Sequence, residues 1–269
     1  MTESNWKVVV DRDRLTISSD AYTFTTNGTD PEHLEAVVAD LQSAVRGTYG
    51  QYCGLSRAAE MVGERWGFLI VRDLLTGPKS ASDLHVGLPL MSTKLVVRRL
   101  KELEYSGVVQ PVDGEGGNER GEHVRYELTE YGRALEDAVL AFGRWGAATL
   151  AIPRPEDIVT DASLMVAMKS TFLPEQARGV QATYELRING HVLGLRIDDG
   201  SLDVSAGPVP DADAALDLGF VLLALMTGEM TADDVLATGQ ASVEGDPAHL
   251  HRFVEMFQLP RLPAPKVLA

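Results

Sequence analysis

Residues 88–107 read LPLMSTKLVVRRLKELEYSG, and how this stretch folds decides the rest. Ser92 is placed to cap a helix whose first N–H groups have no partner within the helix. From there Val96, Leu100 and Leu103 recur at helical spacing, giving an apolar stripe that must pack against something. Lys94, Arg98 and Lys101 recur at the same spacing and make another face a row of cations. Gly107, free to take a positive φ, ends the helix. A helix locked by one face and cationic on the other suits a polyanion. Read without its neighbours it is equally a solvated amphipathic helix.

The neighbours narrow the choice. Upstream, LSRAAEMVGERWGFLIVRDLLTG (residues 55–77) is densely helical, with Leu55, Ala58, Ala59 and Val62, then Trp66, Leu69, Ile70, Leu74 and Leu75. Ser80 or Ser82 opens a short helix carrying Leu84 and Val86, and Gly87-Leu88-Pro89 turns into the basic helix. Two helices joined by a short Gly-containing turn, the second with polar residues outward, form a helix-turn-helix. Downstream, Val108–Val112 and Val124–Leu128 read as strands joined by the charged, Gly-rich DGEGGNERGEH. That loop lacks the Lys-Ser/Thr ending of a P-loop and opens no helix, so it is a hairpin tip. The hairpin is a wing from which Arg120, His123 and Arg125 reach toward a sugar-phosphate backbone. Thr129-Glu130 starts another helix, and its Leu135, Val139, Leu140, Phe142 and Trp145 predict a subunit interface.

Several elements coincide in order: Cys53, RAAEMVGERWGFLIVRDLLTGPKSASDL, LVVRRLKELEYSGVV, VRYELTEYGRAL and FGRWG. Together, over about residues 52–147, they resemble the HxlR family of bacterial winged-helix regulators, close to MarR-type repressors. The resemblance implies a homodimer whose recognition helices enter successive major grooves of a pseudo-palindromic operator in double-stranded DNA. By position it places Ser92, Thr93, Lys94, Val97, Arg98 and Lys101 in the groove, and Lys79-Ser80 near a phosphate. Two departures stand out. Thr93 occupies a position where the family often has Pro, and Lys79-Ser80 replaces a basic pair, removing one phosphate contact. Lys94, Arg98 and Lys101 are candidates for guanine O6/N7 or for phosphate, and the sequence does not divide them. Val97 suits a thymine methyl. Several such regulators use a Cys at the position of Cys53 to sense oxidants or electrophiles. As the only cysteine it would react with a small molecule or a second subunit, and Arg57 is the visible group to stabilise its thiolate. The plainer alternative is a small apolar residue buried in an interface.

The net charge of −15 looks wrong for a nucleic-acid binder until it is divided: −4 over residues 1–54, −2 over 55–150 and −9 over 151–269. Within Lys79–Lys101 the balance reverses, with Lys79, Lys94, Arg98, Arg99 and Lys101 against Asp83 alone. Binding needs a local basic patch, not a basic total. The chain of 269 residues is comfortable for two domains. A hydrophobic share of 45% is that of a soluble globular protein. A single cysteine excludes an internal disulfide and argues for a reducing compartment. The N-terminus has no apolar signal core, and FVLLALM at Phe220–Met226 is too short to span a bilayer, so a cytoplasmic protein without membrane contact is expected.

Residues 5–26 read as extended structure, and Thr29 or Asp30 caps a helix that runs to Arg46, giving a small hairpin-plus-helix extension with no assigned chemistry. Beyond Trp145 the composition shifts. AIPRPEDIV, with Pro153 and Pro155, is a linker. SLMVAMKSTF, VQATYELRI, HVLGLRIDD and SLDVSAG read as four strands, punctuated by Asn189-Gly190 and Asp199-Gly200 as hairpin turns. LDLGFVLLALMTGEM and TADDVLATG read as helices, QASVEGD as a strand, and Pro247–Leu259 as a final helix. Through YELRINGHVLGLRIDDGSLDV, PDADAALDL and LLALMTGEMTADDVLATGQASVEGDPAHLHRFVEMF, roughly residues 155–260 resemble the sterol carrier protein type 2-like fold. That resemblance implies a hydrophobic cavity lined by Leu223, Met226, Met230, Phe253, Met256 and Phe257, where Met gives an adaptable wall. Ordinary core is the alternative for the same stripe.

Enzyme chemistry finds no frame: the histidines are scattered, no Cys pair or H-E-x-x-H suits zinc, and no G-x-S-x-G elbow presents a nucleophile. Asp211, Asp213 and Asp217 fail as a calcium loop because Leu222 stands where Glu is required. No cofactor is expected. The reading is an α+β chain in three parts. These are an N-terminal extension (1–50), a winged helix-turn-helix DNA-binding and dimerisation domain (51–150), and a sterol-carrier-like α+β ligand-binding domain (155–262). Its expected role is a homodimeric transcriptional regulator, read as a repressor, modulated by a hydrophobic small-molecule effector or by Cys53 modification. The alternative is a lipid or small-molecule binding protein whose winged helix serves protein interaction.

Overall fold

The computed structural model describes residues 7–11, 14–18, 23–27, 49–112, 124–150 and 157–260. The chain divides into two compact units, Met1–Met61 and Val62–Ala269. In the first, all three extended runs pair, so a meander replaces the expected single hairpin. Strands β1 (Lys7–Asp11), β2 (Arg14–Ser18) and β3 (Thr23–Asn27) lie antiparallel in that order, with Lys7 opposite Ser18 and Arg14 opposite Asn27. The helix expected over 29–46 lies outside the described residues. Helix α1 (Gly54–Val62) follows. Its approach is held by Tyr49 N donating to Glu60 Oε1 (2.9 Å) and Ser56 Oγ donating to Gln51 Oε1 (3.0 Å).

The helical run expected to continue from α1 is broken: α2 spans Gly67–Leu74, with Gly63–Trp66 between. The break turns on Gly67, where a Cβ would lie 2.3 Å from the Val62 carbonyl oxygen. Helix α3 (Ala81–Gly87) is opened by Ser80, not Ser82. Ser80 Oγ accepts from Asp83 N (3.1 Å) while Asp83 Oδ2 accepts from Ser80 N (2.8 Å), a reciprocal capping box. Ser92 caps α4 (Thr93–Tyr105), and Gly107 ends it at φ 71°. Val96, Leu100 and Leu103 are buried, as are Ile70, Val71 and Leu74 on α2 and Leu84 on α3.

After α4 the chain enters a small sheet of β4 (Lys79–Ser80), β5 (Val109–Pro111) and β6 (Arg125–Leu128), ordered β4-β6-β5. The junction that follows is tight. Thr129 Oγ1 donates to the Gly107 carbonyl (2.6 Å) and accepts from Gly132 N (3.0 Å). The helix expected from Thr129 is divided into α5 (Glu130–Arg133) and α6 (Glu136–Ala147).

SLMVAMKSTF is not a strand. It forms α7 (Asp161–Thr171), whose N-terminus is fixed by a capping box between Thr160 and Ser163. Leu164, Met165, Val166 and Met168 are all buried, an all-round apolar pattern that a helix shows when it is covered on both sides. One side joins the core of the following sheet. The other packs on α6 and α2, where Arg144 Nη1 donates to the Ser170 carbonyl (3.0 Å) and Lys169 pairs with Glu136 (2.8 Å).

The sheet opens as a meander of β7 (Gln181–Ile188), β8 (His191–Asp198) and β9 (Ser201–Ala206). Asn189-Gly190 (φ 50° and 88°) and Asp199-Gly200 (φ 45° and 85°) supply the two left-handed residues that a tight type I′ hairpin needs. Strand β10 (Ala214–Asp217) adds parallel to β7, and β11 (Ser242–Glu244) antiparallel to β10. Helices α8 (Leu222–Thr227), α9 (Ala232–Ala237) and α10 (Ala248–Met256) contribute with α7 to one core that includes Tyr184, Leu186, Leu193, Leu225, Val235 and Phe253. The final helix is shorter than expected, because Phe257 leaves it to pair with Phe172 in an isolated β-bridge.

Close packing at a glycine tests the winged part. A Cβ on Gly132 would sit 2.0 Å from the Val108 carbonyl oxygen. Gly132→Ala is therefore expected to lower the stability read from denaturant unfolding by about 1–3 kcal/mol, the usual cost of overpacking. Gly146→Ala, on α6 with nothing within 4 Å, is expected to leave stability unchanged or raise it by up to about 1 kcal/mol.

Candidate nucleic-acid interface

The buried stripe of α4 turns the opposite face outward. Ser92, Thr93 and Lys94 are exposed, Val97 is half-buried, and the Arg98 and Lys101 side chains are 63% and 64% accessible. The ridge is not a row of free cations. Arg98 Nε donates to Glu102 Oε1 (3.1 Å), and Lys101 Nζ donates to Glu104 Oε2 (2.9 Å) while lying 5.8 Å over the Tyr126 ring. Partial removal of Lys101 from water disfavours its charge, but its bonds to Glu104 and Tyr126 prevail and raise its pKa, so it stays protonated. Lys94 has no ion-pair partner among the described residues. Arg99 faces the other way, where it is held by Glu102 and, through Nη2, by Glu64 Oε2 at 2.9 Å.

The remaining expected contacts are dispersed. Lys79 is half-buried on β4, opposite Tyr126. The Ser80 hydroxyl is engaged in the cap of α3, donating to and accepting from the Asp83 pair, so it is committed locally. Arg125 Nη2 donates to the Pro78 carbonyl (2.5 Å), tying the wing's return strand to the start of β4. Arg120 and His123 lie outside the described residues. Sequence reading missed Glu102, which is buried behind the ridge. Its signal was present, since it stands four residues after Arg98 and three after Arg99, the spacing at which helical side chains meet. It also missed Asp73, whose carboxyl is raised in pKa by burial against the opposing pull of Arg72 and Lys79.

Cys53 is exposed at the entrance to α1. Its thiol is lowered in pKa by the backbone N–H groups of Ser56 and then Leu55, the effect expected of a helix N-terminus. Arg57, the stabiliser expected from sequence, is instead paired with Glu60 at 2.8 Å.

In the C-terminal half a recess of about 390 Å³ is bordered by Leu225, Met226, Thr227, Gly228, Val254, Gln258, Leu259 and Pro260. Of the six residues expected to line a cavity, Met226 borders it. Leu223 and Met230 are half-buried, and Phe253, Met256 and Phe257 are fully buried in the core, where Phe253 and Phe257 stack at 4.5 Å. Among the described residues no cluster of His, Cys, Asp and Glu is placed to hold a metal, and no helix is long and apolar enough to cross a membrane.

Residues 61–152 match the family model of the HxlR-like helix-turn-helix. The chain is 32% identical over 94 residues to the uncharacterized HTH-type transcriptional regulator YkvN of Bacillus subtilis, covering 35% of this chain and 77% of that protein. The chain belongs to the HxlR-like helix-turn-helix family. It is also 33% identical over 91 residues to YodB of the same organism, covering 34% and 79% of the two chains. Residues 165–258 match the SCP-2 sterol transfer family. Among solved structures it is similar to the redox regulator HypR in its oxidised form (TM-score 0.33, 26% identity, 37% of this chain and 100% of that one). It is similar also to the reduced form of YodB from B. subtilis (TM-score 0.30, 30% identity, 40% and 100%). The protein is thus an HTH-type transcriptional regulator that carries an SCP-2 domain, and its relatives are named as regulators.

The thiol offers a direct check. Iodoacetamide alkylation of Cys53, followed by mass spectrometry across pH, is expected to reach half its maximal rate below the ordinary thiol pKa of about 8.5. A lowered pKa favours the thiolate, so the rate rises earlier as pH increases. Arg57→Ala is expected to leave this midpoint in place, because the guanidinium is engaged by Glu60.

Proposed function

We propose that the protein is a homodimeric repressor that grips a pseudo-palindromic operator in double-stranded DNA, with one α4 helix in each half-site. The observation that carries this reading is the one-sided burial of α4, which leaves Lys94, Arg98 and Lys101 outward on a helix held by its other face. Ser92, Thr93 and Val97 complete the groove face, and Lys79, Arg120, His123 and Arg125 are its backbone contacts. In this reading residues 51–150 bind DNA and dimerise, and residues 155–262 bind an effector. A second copy is supported by Phe142 and Trp145, large side chains left exposed on α6.

The recess supports a hydrophobic effector. Two polar groups on its wall are satisfied internally, Thr227 Oγ1 donating to the Leu223 carbonyl and Gln258 N to the Thr171 carbonyl. Leu225, Met226, Val254 and Leu259 give an occupant an apolar side, beside the polar Thr227 and Gln258. Because Thr171 ends α7, and Ser170 beside it is held by Arg144 of α6, a change at the recess wall has a physical route to the DNA-binding half. Cys53 is a second input.

The test is a fluorescence-polarisation titration of the labelled duplex upstream of the protein's own gene, at two salt concentrations. Binding is expected to weaken with salt by roughly 0.9 log units per log unit for each phosphate neutralised. Arg98→Ala is expected to weaken it about 5- to 150-fold, the range for losing one bidentate base contact. Absent or salt-independent binding would overturn the proposal.

A further inference from the structure

Glu102 is the least expected residue of the ridge. Its side chain is 8% accessible, yet it faces two guanidiniums at once. Oε1 accepts from Arg98 Nε at 3.1 Å, and Oε2 accepts from Arg99 Nη1. Arg99 in turn is 16% accessible and is anchored through Nη2 to Glu64 Oε2, on the segment between α1 and α2. Its Nε is buried without a hydrogen-bond partner. Arg99 therefore has no exposed arm to swing outward, and it holds the Glu102 carboxylate from behind. Of the two arginines in this group, Arg98 is the one whose side chain reaches well into solvent.

From this arrangement we infer that Glu102 is a positioning residue for base readout, holding Arg98 by Nε so that its terminal Nη1/Nη2 pair faces a guanine. The inference rests on the reading of α4 as the DNA-binding helix. A guanidinium is a rigid planar fork of five N–H donors, so fixing one of its nitrogens fixes the direction of the other two. A terminal pair of parallel N–H groups matches the O6 and N7 acceptors that guanine presents in the major groove. Nothing among the described residues bonds Nη1 or Nη2 of Arg98. The division left open by sequence then follows. Lys94, without an ion-pair partner among the described residues and on a flexible stem, is a point charge for phosphate. Lys101 is held by Glu104 over Tyr126 and has no fork to align. Arg98 alone combines exposure, a fork and a fixed orientation.

The experiment is selection of binding sites from a randomised duplex library by the full-length protein, read by sequencing and compared among variants. The native protein is expected to enrich one guanine position per half-site. Glu102→Gln offers a single acceptor oxygen, which the buried Arg99 claims, so Arg98 is released. Discrimination at that one position is expected to fall about tenfold or more, while affinity for unrelated DNA holds or rises as a negative charge is lost. Arg98→Lys is expected to lose the same position. Lys94→Ala is expected to weaken all sequences alike, reduce the salt slope by about one and leave the preference intact. A merely structural Glu102 would lower affinity without altering one base position.

Circular dichroism reports whether each variant folds. Should Glu102→Gln fail to fold, Glu102→Asp keeps the charge for Arg99 but shortens the reach to Arg98, and it is expected to lose the same position. Full guanine discrimination in a folded Glu102 variant would overturn the positioning role, and full discrimination in Arg98→Lys would overturn the assignment of Arg98. A native protein that enriches no sequence would defeat the DNA-binding reading itself, an outcome distinct from both.

Discussion

The N-terminal part of the second unit depends on α4 being held from one side only. Val96, Leu100 and Leu103 set how deep the helix lies, because apolar surface removed from water resists being pulled out. Depth alone would leave the helix free to rotate about its axis. Rotation is limited by a different kind of contact, the Arg99 guanidinium spanning Glu102 on the helix and Glu64 on the segment before α2. At the far end the Thr129 hydroxyl and the close approach of Gly132 to the Val108 carbonyl fix where the chain leaves α4 and turns into the wing. Apolar burial, an ionic tie and a backbone contact each remove one freedom from the same element.

What was legible in the sequence was local chemistry. Ser92 as a cap, Gly107 as a stop, and the Asn-Gly and Asp-Gly hairpins depend on a few adjacent residues, and each stands where it was expected. What was illegible depended on how closely particular groups approach one another in space. Gly67 and Gly132 matter because of carbonyls they approach in space, Val62 and Val108, which no spacing rule reveals. The segment Ser163–Phe172 misled for a related reason. An apolar run reads as a buried strand unless one knows that two layers will cover it, and the Thr160–Ser163 cap was the one local hint against that. Arg57 was assigned to Cys53 by sequence distance, but Glu60 is the charge it meets.

Counted over Lys79–Lys101, the segment looks strongly basic, because Glu102 and Glu104 fall just outside the window. In the helix those two carboxylates fold back onto Arg98 and Lys101 and reshape the patch. The ridge is therefore defined less by its total than by which cations are fixed and which are loose. A helix with one loose lysine and one held arginine presents two kinds of contact from a single face.

Helix α7 has a consequence of its own. Beyond its first residue no position is exposed, for the sheet core takes one flank and α6 takes the other. A module joined to its neighbour by a tether alone can drift in sequence independently of what it is tethered to. Here each substitution along ten residues of shared wall is screened by both layers at once, so neither half of this protein can be exchanged for a cousin's without rebuilding the other's flank.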